Sequence, residues 1–189
     1  SMNRNTSRIL VFGALAIAVN VVLGIVVAGL KIPLLFLDTM GTIFMAACFG
    51  PLWGIAVAIG THLLMGILYG FTAFPFVLVS IATAIVVGLM ARNGKFGLKK
   101  AIVTGLILAA VSPLIGTPIR MILFGGFTGS GADFMIAAMR AAGAEIFTST
   151  FIGVVVSNFV DKIISCVLVS LVLSKIPKRT LGITSYHAQ

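Results

Sequence analysis

The stretch FIGVVVSNFVDKIISCVLVSLVL, residues 151–173, decides what kind of protein this is. It is long enough to cross a bilayer, since a helical span needs about 20 apolar residues at 1.5 Å rise each. Yet Asp161 and Lys162 stand side by side within it, with Asn158 one turn earlier. Positions i, i+3 and i+4 share a helical face, so Asn158, Asp161 and Lys162 form a polar stripe that Ser165 continues. A charge in hydrocarbon costs about 2.5 kcal/mol or more by insertion scales, and therefore faces a bundle interior or a water-filled cavity. Two readings follow. Either the charges fix helix packing, or they line a site for a small polar ligand with several donors and acceptors.

The rest of the chain agrees with a membrane setting. It is 60% hydrophobic and only 9% charged, with a mean hydropathy of +1.22. Soluble domains carry roughly 25% charged residues, and this chain lacks the polar surface to cover a water-soluble globule. The fold class expected is an all-α integral membrane protein. Apolar segments at roughly 9–30, 36–50, 52–69, 74–91, 101–124 and 147–174 predict a six-transmembrane-helix bundle. Pro51 stands where the third helix begins, a position proline tolerates. The whole of 1–189 reads as a single membrane domain with short connections. Ser1 before Met2 reads as a tag remnant, and 180–189 as a flexible tail. The first apolar segment has no small-residue cleavage site and reads as a permanent span.

The net charge of +9 is better explained by orientation than by nucleic acid. Arg4 and Arg8 precede the first segment. Arg92, Lys95, Lys99 and Lys100 fall between the fourth and fifth, and Lys175, Lys178 and Arg179 follow the sixth. An even number of spans puts all three clusters on one side. The positive-inside rule makes that side the cytoplasm, with both termini there and the protein in the cell membrane. Cys48 and Cys166 lie in apolar segments and read as small buried hydrophobes rather than a disulfide or metal site. His62 is alone in its segment and His187 lies in the tail. There is no HExxH and no carboxylate pair on a helix, so no metal, no cofactor and no enzymatic activity are expected.

The unusual polar residues converge on the outer half. With Lys175 at the inner boundary, Asp161 stands about 21 Å along the helix, and Arg120 about 30 Å beyond Lys100. Asp38 opens the second segment at the same side. In SPLIGTPIRMILFGG (112–126), Pro113 and Pro118 each remove an amide donor and kink the helix, a break in the hydrogen bonding tolerated where backbone is buried or lines a cavity. Thr117 and Arg120 lie at that break, Arg120 either as a snorkelling interfacial arginine or as a site residue. Phe36 either stacks on a flat ligand or contacts lipid and core. Trp53 reads as an inner-interface anchor. The glycine-rich FGGFTGSGADF (124–134) is a loop, with Asp133 placed to cap a short helix. In GALAIAVNVVLGIVVAG (13–29), Ala14 and Ala18 are four apart, and Ala16, Asn20, Gly24 and Ala28 continue the spacing. Such small residues let another helix approach closely, inside this bundle or on another subunit.

Taken in order, these features resemble a known family. KIPLLFLDTMGTI (31–43) leads into FGPLWG (49–54), and NFVDK (158–162) comes ahead of a basic end. Six short helices with this arrangement are similar to the S components of energy-coupling factor (ECF) transporters, over nearly the whole chain. The resemblance implies high-affinity capture of a vitamin or related micronutrient from outside. The compound classes that fit are flavin, pyridoxine-like, pyrimidine and purine-type. It also implies docking on a transmembrane coupling subunit that carries two cytoplasmic ATPases. No P-loop occurs in this chain. The resemblance assigns ligand contacts to Asn158, Asp161 and Lys162, and to Asp38 and Phe36. It assigns docking to Ala14 and Ala18. The competing readings are a membrane sensor or structural domain, and a standalone secondary carrier.

Overall fold

A computed structural model describes residues 3–182. The expected tag remnant Ser1, and 183–189 with His187, lie outside the described residues.

Among the described residues the chain is helical, with no strand. Helix α1 spans Arg4–Gly29, α2 Met40–Phe49, α3 Pro51–Tyr69, and a 3-10 turn at Phe74–Phe76 leads into α4, Val77–Met90. Then follow α5 (Leu98–Phe124), α6 (Asp133–Ala141), α7 (Ile146–Lys175) and α8 (Lys178–Leu181). Four of these, α1, α3, α5 and α7, are long and apolar enough to cross a membrane, and two shorter apolar helices accompany them. Large apolar side chains stay exposed along the outside, among them Leu15, Val22, Leu52, Leu114 and Ile122. A continuous apolar exterior of this kind fits a membrane protein.

Helix α2 is the centre of the bundle, packed against α1, α3, α4 and α7. It lies so close to α1 that a Cβ on Gly41 would fall 2.1 Å from the carbonyl oxygen of Ala16. Gly50, at φ 101°, ends α2 in a conformation that favours glycine, and Pro51 starts α3 at once. Helices α5 and α7 pack on each other through Gly105, where a Cβ would stand 2.8 Å from Ile163 Cα.

Several expectations are corrected here. The second segment is not helical from 36; Leu35–Asp38 belong to an irregular loop, and α2 starts at Met40. The reason is an anchor on α7, described below. Helix α5, expected over 101–124, spans Leu98–Phe124 with Pro113 and Pro118 inside it. The tail does not start at 180, because Thr180 and Leu181 belong to α8 and Leu181 is buried. On α1 the small residues divide between two faces. Gly13, Ala16 and Asn20 face inward and are buried, while Ala14 and Ala18 are exposed.

The N-terminus of α1, the 91–97 turn and the end of α7 gather at one end of the bundle. Arg8 Nη1 donates to Arg179 O at 3.1 Å, and Ser170 Oγ donates to Phe96 O at 2.9 Å. The opposite end is hollow.

Candidate functional site

That hollow is a cavity of about 310 Å³, walled by α1, the loop before α2, α3, α4, α5, the glycine-rich loop and α7. Its wall is mostly apolar. Phe36, Phe74, Phe76 and Phe124 all contribute, and the rings of Phe76 and Phe124 stack with centroids 5.8 Å apart and planes 24° apart. Set into this wall are Asn20, Asp38, Thr39, Thr61, His62, Ser80, Ser112, Arg120, Thr128, Ser130, Asn158 and Lys162.

Asn20 holds three elements together. Its Nδ2 donates to Thr42 Oγ1 and Thr61 Oγ1, each at 3.0 Å, and its Oδ1 accepts from Gly41 N at 2.7 Å. The last bond satisfies one of the orphan amides in the first turn of α2. On the adjacent wall His62 Nε2 lies 2.9 Å from Ser80 Oγ, joining α3 to α4. Neither Asn20 nor His62 is among the expected site residues. The usable signal for both was a polar side chain alone in a strongly apolar helix.

Asp161 and Lys162 form a direct pair, Nζ to Oδ2 2.9 Å, and both are buried, at 0% and 2% relative exposure. Neighbours on a helix point about 100° apart, but the long lysine stem bridges the gap. Lys162 also donates to Thr39 Oγ1 at 3.2 Å and stands 5.9 Å from the centroid of the Phe36 ring. The second carboxylate oxygen of Asp161 accepts the amides of Phe36 and Leu37 at 3.0 and 2.9 Å. This anchor holds the 30–39 loop in place, where Lys31, Leu34 and Leu37 take positive φ values of 52°, 63° and 52°. Such backbone costs roughly 1–3 kcal/mol per residue and persists only where its surroundings impose it. A second fastening is Leu34 N to Gly131 O at 3.0 Å, where a Cβ on Gly131 would lie 2.4 Å from Leu35 O.

Arg120, 4% exposed, reaches from α5 into the glycine-rich loop. Its Nη2 is hydrogen-bonded to Thr128 and Ser130, and its Nη1 stands 3.7 Å from Asp133. Asp133 in turn accepts the amides of Thr128 and Gly129 at 3.1 and 2.7 Å, organising the turn ahead of α6.

The seven expected ligand residues therefore divide. Asn158, Lys162, Arg120, Asp38 and Phe36 line the same cavity. Asp161 and Thr117 do not. Asp161 is turned toward the loop backbone and Lys162, and Thr117 is buried with no hydrogen-bond partner for its Oγ1 among the described residues. Ala14 and Ala18 lie on the outer surface of α1, away from the cavity lining. Both cysteines are buried and unpaired among the described residues. No family model matches the chain, and no curated protein or solved structure matches it significantly.

Proposed function

We propose that this chain is the substrate-binding membrane subunit of an ECF-type importer. It captures a small vitamin-like compound from outside and delivers it through a partner that hydrolyses ATP. The observation that carries the reading is the cavity: a chamber with charged, amide and hydroxyl groups at one end of an otherwise apolar bundle. Its volume of about 310 Å³ is at the lower end of small-molecule sites, which span about 300–1,000 Å³. The opposite end carries the basic clusters. The positive-inside rule supports a topology with that end in the cytoplasm, the cavity toward the exterior, and, if the two shorter apolar helices also cross, six spans with both termini inside. On this reading the energy comes from the ATP-hydrolysing partner, and the given sequence carries no nucleotide-binding loop of its own. Ala14 and Ala18 present a small-residue face on α1 for that partner.

Mild purification from native membranes followed by mass spectrometry tests this directly. The expected result is a retained small aromatic solute together with a transmembrane coupling protein and ATPases, and uptake that stops when ATP is depleted. Uptake by the chain alone on an ion gradient would make it a carrier. A protein partner with no solute movement would make it a sensor.

A further inference from the structure

The capture site has an imbalance of charge and of hydrogen-bonding capacity that narrows what it takes. Both of its cations are engaged. Lys162 pairs with Asp161 and donates to Thr39. Arg120 is held by Thr128, Ser130 and Asp133. Asp38, by contrast, lines the cavity and has no hydrogen bond or ion pair with any described residue. With each cation matched to a carboxylate of its own outside the lining, Asp38 is the lining carboxylate left without a hydrogen bond or ion pair among the described residues. Asn158 adds to this. Its Nδ2 donates to Val154 O at 2.9 Å, so its Oδ1 is left as an acceptor without a donor among the described residues.

Among the lining groups left unmatched by the described residues, Asp38 and Asn158 Oδ1 are acceptors, while the Ser112 hydroxyl and Arg120 Nη1 also lack a hydrogen-bond partner, Arg120 Nη1 standing 3.7 Å from Asp133. A ligand group that brings N–H donors and positive charge gains most beside Asp38 and Asn158, where an anionic group would be repelled by the Asp38 carboxylate. The phenylalanine wall adds a demand for a flat ring, and aromatic faces also attract cations. Resting on the capture reading above, we infer that the solute is a planar aromatic compound carrying an amine or amidine, with its N–H donors directed at Asp38 and Asn158. Aminated heterocycles and aryl amidines meet the description. Aromatics whose only charge is a carboxylate or phosphate leave Asp38 unmatched.

Matched one-ring probes separate these classes by titration calorimetry on the purified protein in detergent: benzamidine, benzyl alcohol and benzoate. Benzamidine is expected to bind at least about 10-fold more tightly than benzoate, the scale of a hydrogen bond to a charged group. Asp38→Asn should weaken benzamidine by about 10-fold or more and leave benzyl alcohol unchanged. Thermal unfolding of the variant should match wild type, because Asp38 makes no contact that amidation removes; Asp38→Ser serves as a second variant if Asp38→Asn does not fold. Benzoate binding as tightly as benzamidine, an Asp38→Asn variant with unaltered benzamidine affinity, or no heat from any probe would overturn the inference. The solute retained on purification distinguishes the two levels. An anionic solute lost in Phe76→Trp, which fills the cavity, keeps the capture reading and removes the amine assignment. No retained solute, with uptake unaltered in Phe76→Trp, removes the capture reading itself.

Discussion

Asp161 Oδ1 accepts the backbone amide of Phe36 at 3.0 Å, joining α7 to a loop that is distant in sequence. This bond gives the buried carboxylate a task other than ligand contact. It ties the wall that holds Phe36 and Asp38 to the longest helix, and its other oxygen neutralises Lys162. One side chain thereby sets both the shape of the loop and the charge of the cavity.

Removing that carboxylate should be severe. Asp161→Ala leaves Lys162 buried and unpaired and frees two amides, and breaking a buried pair in this way costs about 3–5 kcal/mol. The double change Asp161→Asn with Lys162→Met removes both charges and keeps an acceptor for the loop. It should recover most of the stability in thermal unfolding. A double variant as unstable as Asp161→Ala would show that the charges themselves stabilise the bundle.

Gly41→Ala tests the contact of α1 with α2. Its Cβ would fall 2.1 Å from Ala16 O, so two helix backbones must separate, at about 1–3 kcal/mol for overpacking. Gly29→Ala, with nothing within 4 Å of the new Cβ, is the matched control and should unfold as wild type does. Equal stability of both variants would place α1 and α2 further apart than described.

Thr117 and Asn158 should separate cleanly by phenotype. Thr117→Val removes a buried hydroxyl that has no partner among the described residues, so stability should hold or rise by up to about 1 kcal/mol, with solute affinity unchanged. Asn158→Ala removes an acceptor from the cavity wall and should weaken solute binding by roughly 0.5–1.5 kcal/mol. Calorimetry with the retained solute checks both. A loss of affinity in Thr117→Val would put that side chain back in the site.

Ala14→Trp and Ala18→Trp should fold and bind solute normally, because both positions are exposed and apart from the cavity. On the importer reading proposed above, uptake in whole cells and co-purification of a coupling subunit should both fail, since an indole on this face holds a partner helix away. Normal uptake in both variants would move the docking face elsewhere.

Much of the architecture was legible from one-dimensional pattern. Apolar runs bounded by Gly50–Pro51, Gly70 and the 91–97 turn locate helices to within a few residues, because burial in lipid or core demands apolar side chains and backbone satisfied within the helix. The polar stripe of α7 was equally plain, because each charge in such a run must have a compensating environment. The division of that stripe was not legible. Asn158 and Lys162 reach the cavity while Asp161 turns to the loop, which depends on where a distant segment returns to α7.

Amino-acid order alone determined that this chain is apolar and helical, that its basic residues cluster, and that Asp38, Arg120, Asp161 and Lys162 fall in the same half of the bundle. These properties are sums over local composition and a helical period, and they need no knowledge of neighbours. Tertiary structure alone decided which groups are satisfied by one another. Asn20 is occupied by Thr42, Thr61 and Gly41, Arg120 by Thr128, Ser130 and Asp133, and Lys162 by Asp161 and Thr39. Asp38 is left facing the cavity because hydrogen bonds and ion pairs are short-ranged and directional, and only the packed arrangement brings donors to some acceptors and not to others.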